Sequence, residues 1–193
     1  MDLFLEFIAV IFGFLSVWYA KENNILVYPT GILSTSIFVY LLLKSDLLGD
    51  ATINAYFFLM SFYGWYYWTR TKLGKAINQV GVASINELII SAFLFFAGLL
   101  LIYFIYIFFG KWSSFTAYVD TFTTAVFFVA MWFMSRRKIE HWIFWIVGNI
   151  LSVPLYLYKG LYLTAIQYFV FTLIAFMGYR EWKKIIQKNQ EIA

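Results

Sequence analysis

The 193-residue chain is 63% hydrophobic and 24% aromatic, with only 12% charged residues, about half the charged share of a soluble domain. With a mean hydropathy of +0.78 it lacks the polar material to cover a water-facing surface, which excludes a soluble globular domain. The absence of cysteine excludes a disulfide framework, thiolate-held metals and a thiol nucleophile. The formal charge of +4 comes from Lys and Arg in short connections and in the tail. That pattern orients a membrane protein and does not describe a nucleic-acid surface.

A hydrocarbon core about 30 Å thick takes roughly 17–25 apolar residues per helix. Seven stretches qualify: 3–20, 25–43, 51–69, 88–109, 115–134, 141–158 and 161–179. No basic segment precedes the first apolar run and no small-x-small site ends it, so no cleavable signal peptide is expected. Glu6 and Asp120 are the only acids inside the stretches, each near an end. Short loops within the first three and the last three predict antiparallel neighbours. The longest polar segment, 70–87, separates the third stretch from the fourth, and 183–193 reads as a helical extension that frays. Lys21, Arg70, Lys72, Lys75, Arg136, Arg137, Lys138, Arg180, Lys183, Lys184 and Lys188 collect on one side, against Lys44, Lys111 and Lys159 on the other. The basic side is expected in the cytoplasm, with the N-terminus outside and the C-terminus inside.

The chain also repeats itself. Trp18 ends the first stretch and Gly64-Trp-Tyr-Tyr-Trp68 the third; Trp132 ends the fifth and Gly178-Tyr-Arg-Glu-Trp182 the seventh. Trp18 to Gly64 and Trp132 to Gly178 both span 46 residues. Ile32-Leu33-Ser34 and Ile150-Leu151-Ser152 form a further match, one that needs a small indel between the anchors. Chance recurrence in so aromatic a chain is one reading; tandem duplication is the other. Two consecutive three-helix copies would be inverted in the membrane unless one helix stands between them. The expectation is therefore an all-α integral membrane protein in one domain over 1–193. Repeat 1 would cover about 3–69, a linker helix about 88–109, and repeat 2 about 115–182, a 3+1+3 parallel tandem arrangement of seven helices.

Soluble-enzyme motifs are missing: there is no Gly-rich phosphate loop, no Gly-x-Ser-x-Gly, and no zinc pair, so neither enzyme activity nor a metal or cofactor is expected. The single histidine, His141, reads as an interfacial residue, with a ligand or relay role the alternative. No acid sits mid-membrane, which argues for uncoupled transport. Trp142, Trp145, Asn149, Ser152 and Tyr156 are spaced by 3, 4, 3 and 4, one narrow stripe of a helix. Such a stripe lacks partners in lipid. It either lines a cavity or serves as helix–helix glue. Thr164 and Gln167 add polar groups to the seventh stretch, and Gln167 can converge with Asn149. Weaker stripes are Asn54, Ser61, Trp65 and Trp68 in the third stretch and Thr30 and Ser34 in the second. Pro29 and Pro154 each free a backbone carbonyl and invite a kink. Indoles, phenols and neutral amides suit a flat, polar, cationic ring, because each indole face holds a cation by about 0.5–2 kcal/mol. An anionic ligand would call for Arg or Lys.

Trp142-Ile-Phe-Trp145, Gly148-Asn149-Ile-Leu-Ser-Val-Pro154-Leu-Tyr156, Lys159-Gly-Leu, Ala165-Ile-Gln167-Tyr168 and Gly178-Tyr-Arg-Glu-Trp182 together resemble the signature of PnuC-type vitamin transporters. Tyr28-Pro29-Thr-Gly31 and Tyr63-Gly64-Trp65-Tyr-Tyr-Trp68 extend the likeness through the N-terminal half. The resemblance implies a SWEET-like fold and facilitated diffusion of nicotinamide riboside, trapped after import by a cytoplasmic riboside kinase. It also implies a homotrimer in the bacterial inner membrane. On that likeness Trp142, Trp145, Asn149 and Gln167 line the riboside site, joined by Tyr156 and Tyr63. Ile143-Phe144 departs from the polar pair often found between the two tryptophans. Thiamine or another vitamin is the alternative cargo; the two amides, Asn149 and Gln167, favour the riboside.

Overall fold

The computed structural model describes residues 3–44, 48–72, 75–110, 112 and 115–192. Among them are seven helices: α1 (Leu3–Lys21), α2 (Val27–Lys44), α3 (Leu48–Thr69), α4 (Ile85–Phe108), α5 (Phe115–Ser135), α6 (Glu140–Tyr158) and α7 (Tyr162–Ile192). A small antiparallel hairpin, β1 (Thr71–Lys72) and β2 (Lys75–Ala76), follows α3. Lys111, used in the charge count, and Ala193, the end of the expected tail, lie outside the described residues. All helices but α3 are long and apolar enough to cross a bilayer, and α3 has 22 residues. The chain is a multi-pass helical membrane protein.

The ends of the helices have local causes. α4 starts three residues before its hydrophobic run, because Ser84 accepts the Glu87 amide while Glu87 accepts the Ser84 amide at 2.9 Å. This capping box satisfies two amides that the first turn would leave open. The charged tail does not end α7, which runs unbroken to Ile192. Pro29 does not kink α2. It is the third residue of that helix, where no intrahelical acceptor is lost. Pro154 is inside α6, on its exposed side.

Exposed apolar side chains mark the lipid faces. On α1 these are Leu3, Phe4, Phe7, Ile11, Leu15 and Trp18, and on α4 a longer series from Ile85 to Phe108. α5 is the reverse, buried from Thr123 to Ser135 except at half-buried Trp132.

The chain divides into two compact units. In the first, residues 1–80 with Ser135–Arg137, α2 packs along both α1 and α3. In the second, residues 81–134 with 138–193, α6 packs along α7, and α5 meets α6 where Phe127 fills the space over Gly148.

Within each unit the helix triplets follow one register. α1 ends at Lys21 and α5 at Ser135, α2 ends at Lys44 and α6 at Tyr158, and α3 begins at Leu48 and α7 at Tyr162. Each second position lies 114 residues after the first. Among the described residues, the two with positive φ that are not glycine, Asn23 (φ 52°) and Arg137 (φ 61°), obey the same offset. So do the contacts. Tyr28 packs over Gly64 and stands edge-on to Trp68 at 5.1 Å; Trp142 packs over Gly178 and stands edge-on to Trp182 at 6.0 Å. Gly13 meets Ser34, and Phe127 meets Gly148, with the large and small partners exchanged. No indel is needed. The Ile-Leu-Ser match is displaced by four residues, about one helical turn, so Ser34 corresponds to Gly148 and not to Ser152.

Candidate functional site

The expected stripe on α6 is the inward face of that helix. Trp142, Asn149 and Ser152 are buried, Trp145 and Tyr156 half-buried, while Ile143, Val147, Ile150 and Leu157 on the opposite side are exposed. α7 is divided in the same way. Thr164, Gln167, Tyr168 and Phe171 are half-buried, with Leu163, Ile166, Phe169 and Leu173 exposed.

Between these faces runs a row of rings from three helices. Trp145 lies 5.3 Å from Phe127 of α5, Phe127 stacks with Tyr168 of α7 at 6.0 Å, and Tyr168 stacks with Tyr156 at 5.1 Å and 10°. The row exists because Gly148 leaves room for Phe127: a Cβ there would sit 2.2 Å from its ring. In the register above, Trp145 takes the place of Gly31. Gly31 sits beside Ser16 and Ser61, and the positions matching those serines are Ala130 and Ala175, both buried.

Two neutral amides accompany the row. Asn149 is 3% exposed, and neither it nor Gln167 has a hydrogen-bond partner among the described residues. Their amide atoms are not among those sealed from solvent without a partner, so a polar ligand can reach and bond them. Beyond Tyr156 the row meets charge. Lys159 pairs with Asp120, Tyr106 donates to the same carboxylate at 2.9 Å, and the Lys159 ammonium is 5.4 Å from the Tyr156 ring.

The other expected site residues are not among the rings of the row. Trp142 is 1% exposed, wedged into the Gly178 notch with His141 at 4.3 Å and Trp182 at 6.0 Å. Its indole N–H has no partner among the described residues. The Ser152 hydroxyl donates to the Gly148 carbonyl at 2.8 Å, within its own helix. Thr164 is half-buried on the same face of α7 as Gln167. Tyr63 belongs to the first unit. Its hydroxyl accepts from Arg136 at 3.0 Å, and the guanidinium covers Tyr67 at 4.1 Å. Arg137, in the same unit, donates to Asn23 at 3.1 Å and to the Asn78 carbonyl at 2.8 Å, and lies over Trp68 at 4.5 Å. Burial lowers its guanidinium pKa, against an opposing pull from Tyr28.

Phe127 and Tyr168 were not singled out for the site by the sequence reading. Phe127 is one of 23 phenylalanines and stands on no polar stripe. Tyr168 directly follows Gln167 and closes one of the motifs that carry the resemblance, but stands on no polar stripe. A surface depression lined by Leu101, Phe104, Ile105, Ile107, Phe108 and Phe109 lies on α4 alone and has no polar side chain to orient a ligand.

Residues 3–184 match the family of nicotinamide mononucleotide transporters. The chain belongs to that family. It is therefore a vitamin-type membrane transporter and not an enzyme. The transporter is 24% identical to the nicotinamide riboside transporter PnuC of Escherichia coli (strain K12), over 92% of this chain and 84% of the relative. It is 22% identical to the riboflavin/roseoflavin transporter RibM of Streptomyces davaonensis, over 92% of this chain and 83% of that protein. Its fold is similar to that in the crystal structure of the vitamin B3 transporter PnuC. The TM-score is 0.71 and the identity 23%, across 97% of this chain and 83% of the other.

Proposed function

We propose that the protein carries nicotinamide riboside across the bacterial inner membrane by facilitated diffusion. The observation that carries this reading is the ring row Trp145–Phe127–Tyr168–Tyr156 beside the unbonded Asn149 amide. A pyridinium ring stacks on an aromatic face and gains cation–π attraction there. Asn149 and Gln167 bond its carboxamide and ribose hydroxyls. Trp145, Asn149, Gln167 and Tyr156 touch the cargo, Thr164 and Ser152 lie behind them, and Trp142 holds α6 against α7. No acid lies mid-way along an apolar stretch of the sequence, which supports an uncoupled mechanism in which phosphorylation by a cytoplasmic riboside kinase keeps the gradient inward.

The shared register of the two triplets supports a 3+1+3 SWEET-like arrangement with α4 as the linker and the whole chain as one membrane domain. The excess of Lys and Arg on one side supports a cytoplasmic C-terminus and an N-terminus outside. A homotrimer follows from the family resemblance, and native mass spectrometry of the detergent-solubilised protein tests it. A flavin is the second reading, favoured by the likeness to RibM; thiamine is a third cargo to include.

Calorimetric titration of purified protein with nicotinamide riboside, thiamine and riboflavin separates these. The riboside is expected to bind. Asn149→Ala should weaken it by about 5- to 150-fold, the worth of one hydrogen bond lost in a buried site. Binding of thiamine or riboflavin alone would reject the riboside. Uptake that collapses with the proton gradient would reject the uncoupled mechanism.

A further inference from the structure

The far end of the ring row holds a charge arrangement that the transport reading does not use. Lys159 is the C-cap of α6, and the turn behind it is closed by two backbone hydrogen bonds. Gly160, at φ 74°, donates to the Leu157 carbonyl at 3.0 Å, and Leu161 donates to the Tyr156 carbonyl at 2.8 Å. This double closure positions the residue that follows the last turn. From it the Lys159 side chain reaches Asp120 on α5 and lies 5.4 Å from the Tyr156 ring. Asp120 is itself set among rings. Tyr106 bonds its carboxylate, and Trp112 packs against Tyr106, Tyr103 and Tyr118 at 6.4, 4.6 and 4.7 Å. The pair is partly screened from solvent: the Lys159 side chain retains 27% of its surface and that of Asp120 19%, although Lys159 as a whole is exposed.

The protein thus holds its own ammonium at the terminal ring of the row, against a carboxylate that the Tyr106 hydroxyl also bonds. We propose that Asp120 and Lys159 form a charge-selective threshold, in which Lys159 is a tethered stand-in that a cationic cargo displaces from Asp120 and from the face of Tyr156. The inference rests on the reading that the cargo is a cationic pyridinium nucleoside. A neutral ring gains nothing from Asp120 and does not displace Lys159. A cation exchanges with it at little net cost, since the carboxylate stays paired throughout.

The test compares nicotinamide riboside, a cation, with its neutral dihydro form, on the full-length transporter in detergent and in vesicles. Lys159→Gln removes the competitor, and should tighten binding of the cation by about 2- to 30-fold, the range of one cation–π contact. The neutral form should change by less than about twofold, having no charge to feel the loss. Asp120→Asn should weaken and slow the cation selectively, and Lys159→Arg should keep the wild-type preference. If either single variant fails to fold with one charge left unpaired, the double variant Asp120→Asn/Lys159→Gln removes both charges and should lose the preference for the cation. Wild-type binding of the riboside with equal effects of Lys159→Gln on both forms, or with none, overturns the threshold alone. Wild-type binding of neither form overturns the cargo reading and the threshold together.

Discussion

Replacing Gly178 by Ala probes the contact that closes the second triplet. A Cβ at Gly178 would lie 2.4 Å from Trp142 Cζ2 and 2.6 Å from both Cε2 and Cη2. Ordinary carbon contact is about 3.5–4.0 Å, so the indole must retreat by about 1–1.5 Å. It has nowhere to go: Trp142 is 1% exposed and held between His141 and Trp182. Alanine by itself favours a helix over glycine by about 0.5–1 kcal/mol, so without the clash the variant would be more stable. Overpacking a rigid core costs about 1–3 kcal/mol, which leaves a net loss of roughly 1–2 kcal/mol. At about 2–4 °C per kcal/mol for a chain of this size, the unfolding midpoint in detergent should fall by about 2–8 °C. Gly64→Ala should behave alike, because its Cβ would meet Tyr28 at the same 2.4 Å. Gly178→Ala combined with Trp142→Phe should regain part of the loss, since the smaller ring vacates the space. A midpoint that rises for Gly178→Ala would refute the notch, and no recovery in the double variant would refute Trp142 as its occupant.

Further outcomes are expected elsewhere. Trp142→Phe should lower the midpoint while changing riboside affinity by less than about threefold, as one cation–π contact is worth 0.5–2 kcal/mol and Trp142 stands off the row; a large affinity loss at unchanged midpoint would return Trp142 to the site. Arg137→Lys keeps the charge but loses the planar fork that bonds Asn23 and Asn78, and should cost about 1.5–3 kcal/mol by thermal unfolding; equal midpoints for Lys and Arg would contradict this. Ser84→Ala removes the capping box of α4 and should cost about 1 kcal/mol, visible as faster amide exchange in its first turn.

Much of the fold was legible because hydropathy is local. A stretch such as 115–134 announces a helix whatever its neighbours are, and α5 covers Phe115–Ser135. Legibility failed where one helical face can stand for another. Ser34 and Ser152 look equivalent because a four-residue slip nearly restores the same face, and only the paired contacts of Gly13–Ser34 and Phe127–Gly148 exposed the slip. The start of α4 was misread for a different reason. Ser84 and Glu87 are polar, and hydropathy does not register the hydrogen bonds that make them helical.

The candidate site divides along the same line. Composition and period determined that the chain lives in lipid, that it has seven helical stretches, and that one face of α6 carries Trp145, Asn149 and Tyr156. Those properties depend on side-chain type and on the 3.6-residue turn alone. Only the tertiary structure could separate Trp142 from Trp145, three residues away on the same stripe. The first fills the Gly178 notch and the second joins Phe127 and Tyr168, because α6 rests on α7 at one point and on α5 at the other. The same is true of Lys159, a loop charge in the sequence, which the packing of α5 against α6 brings to Asp120 and to the last ring of the row.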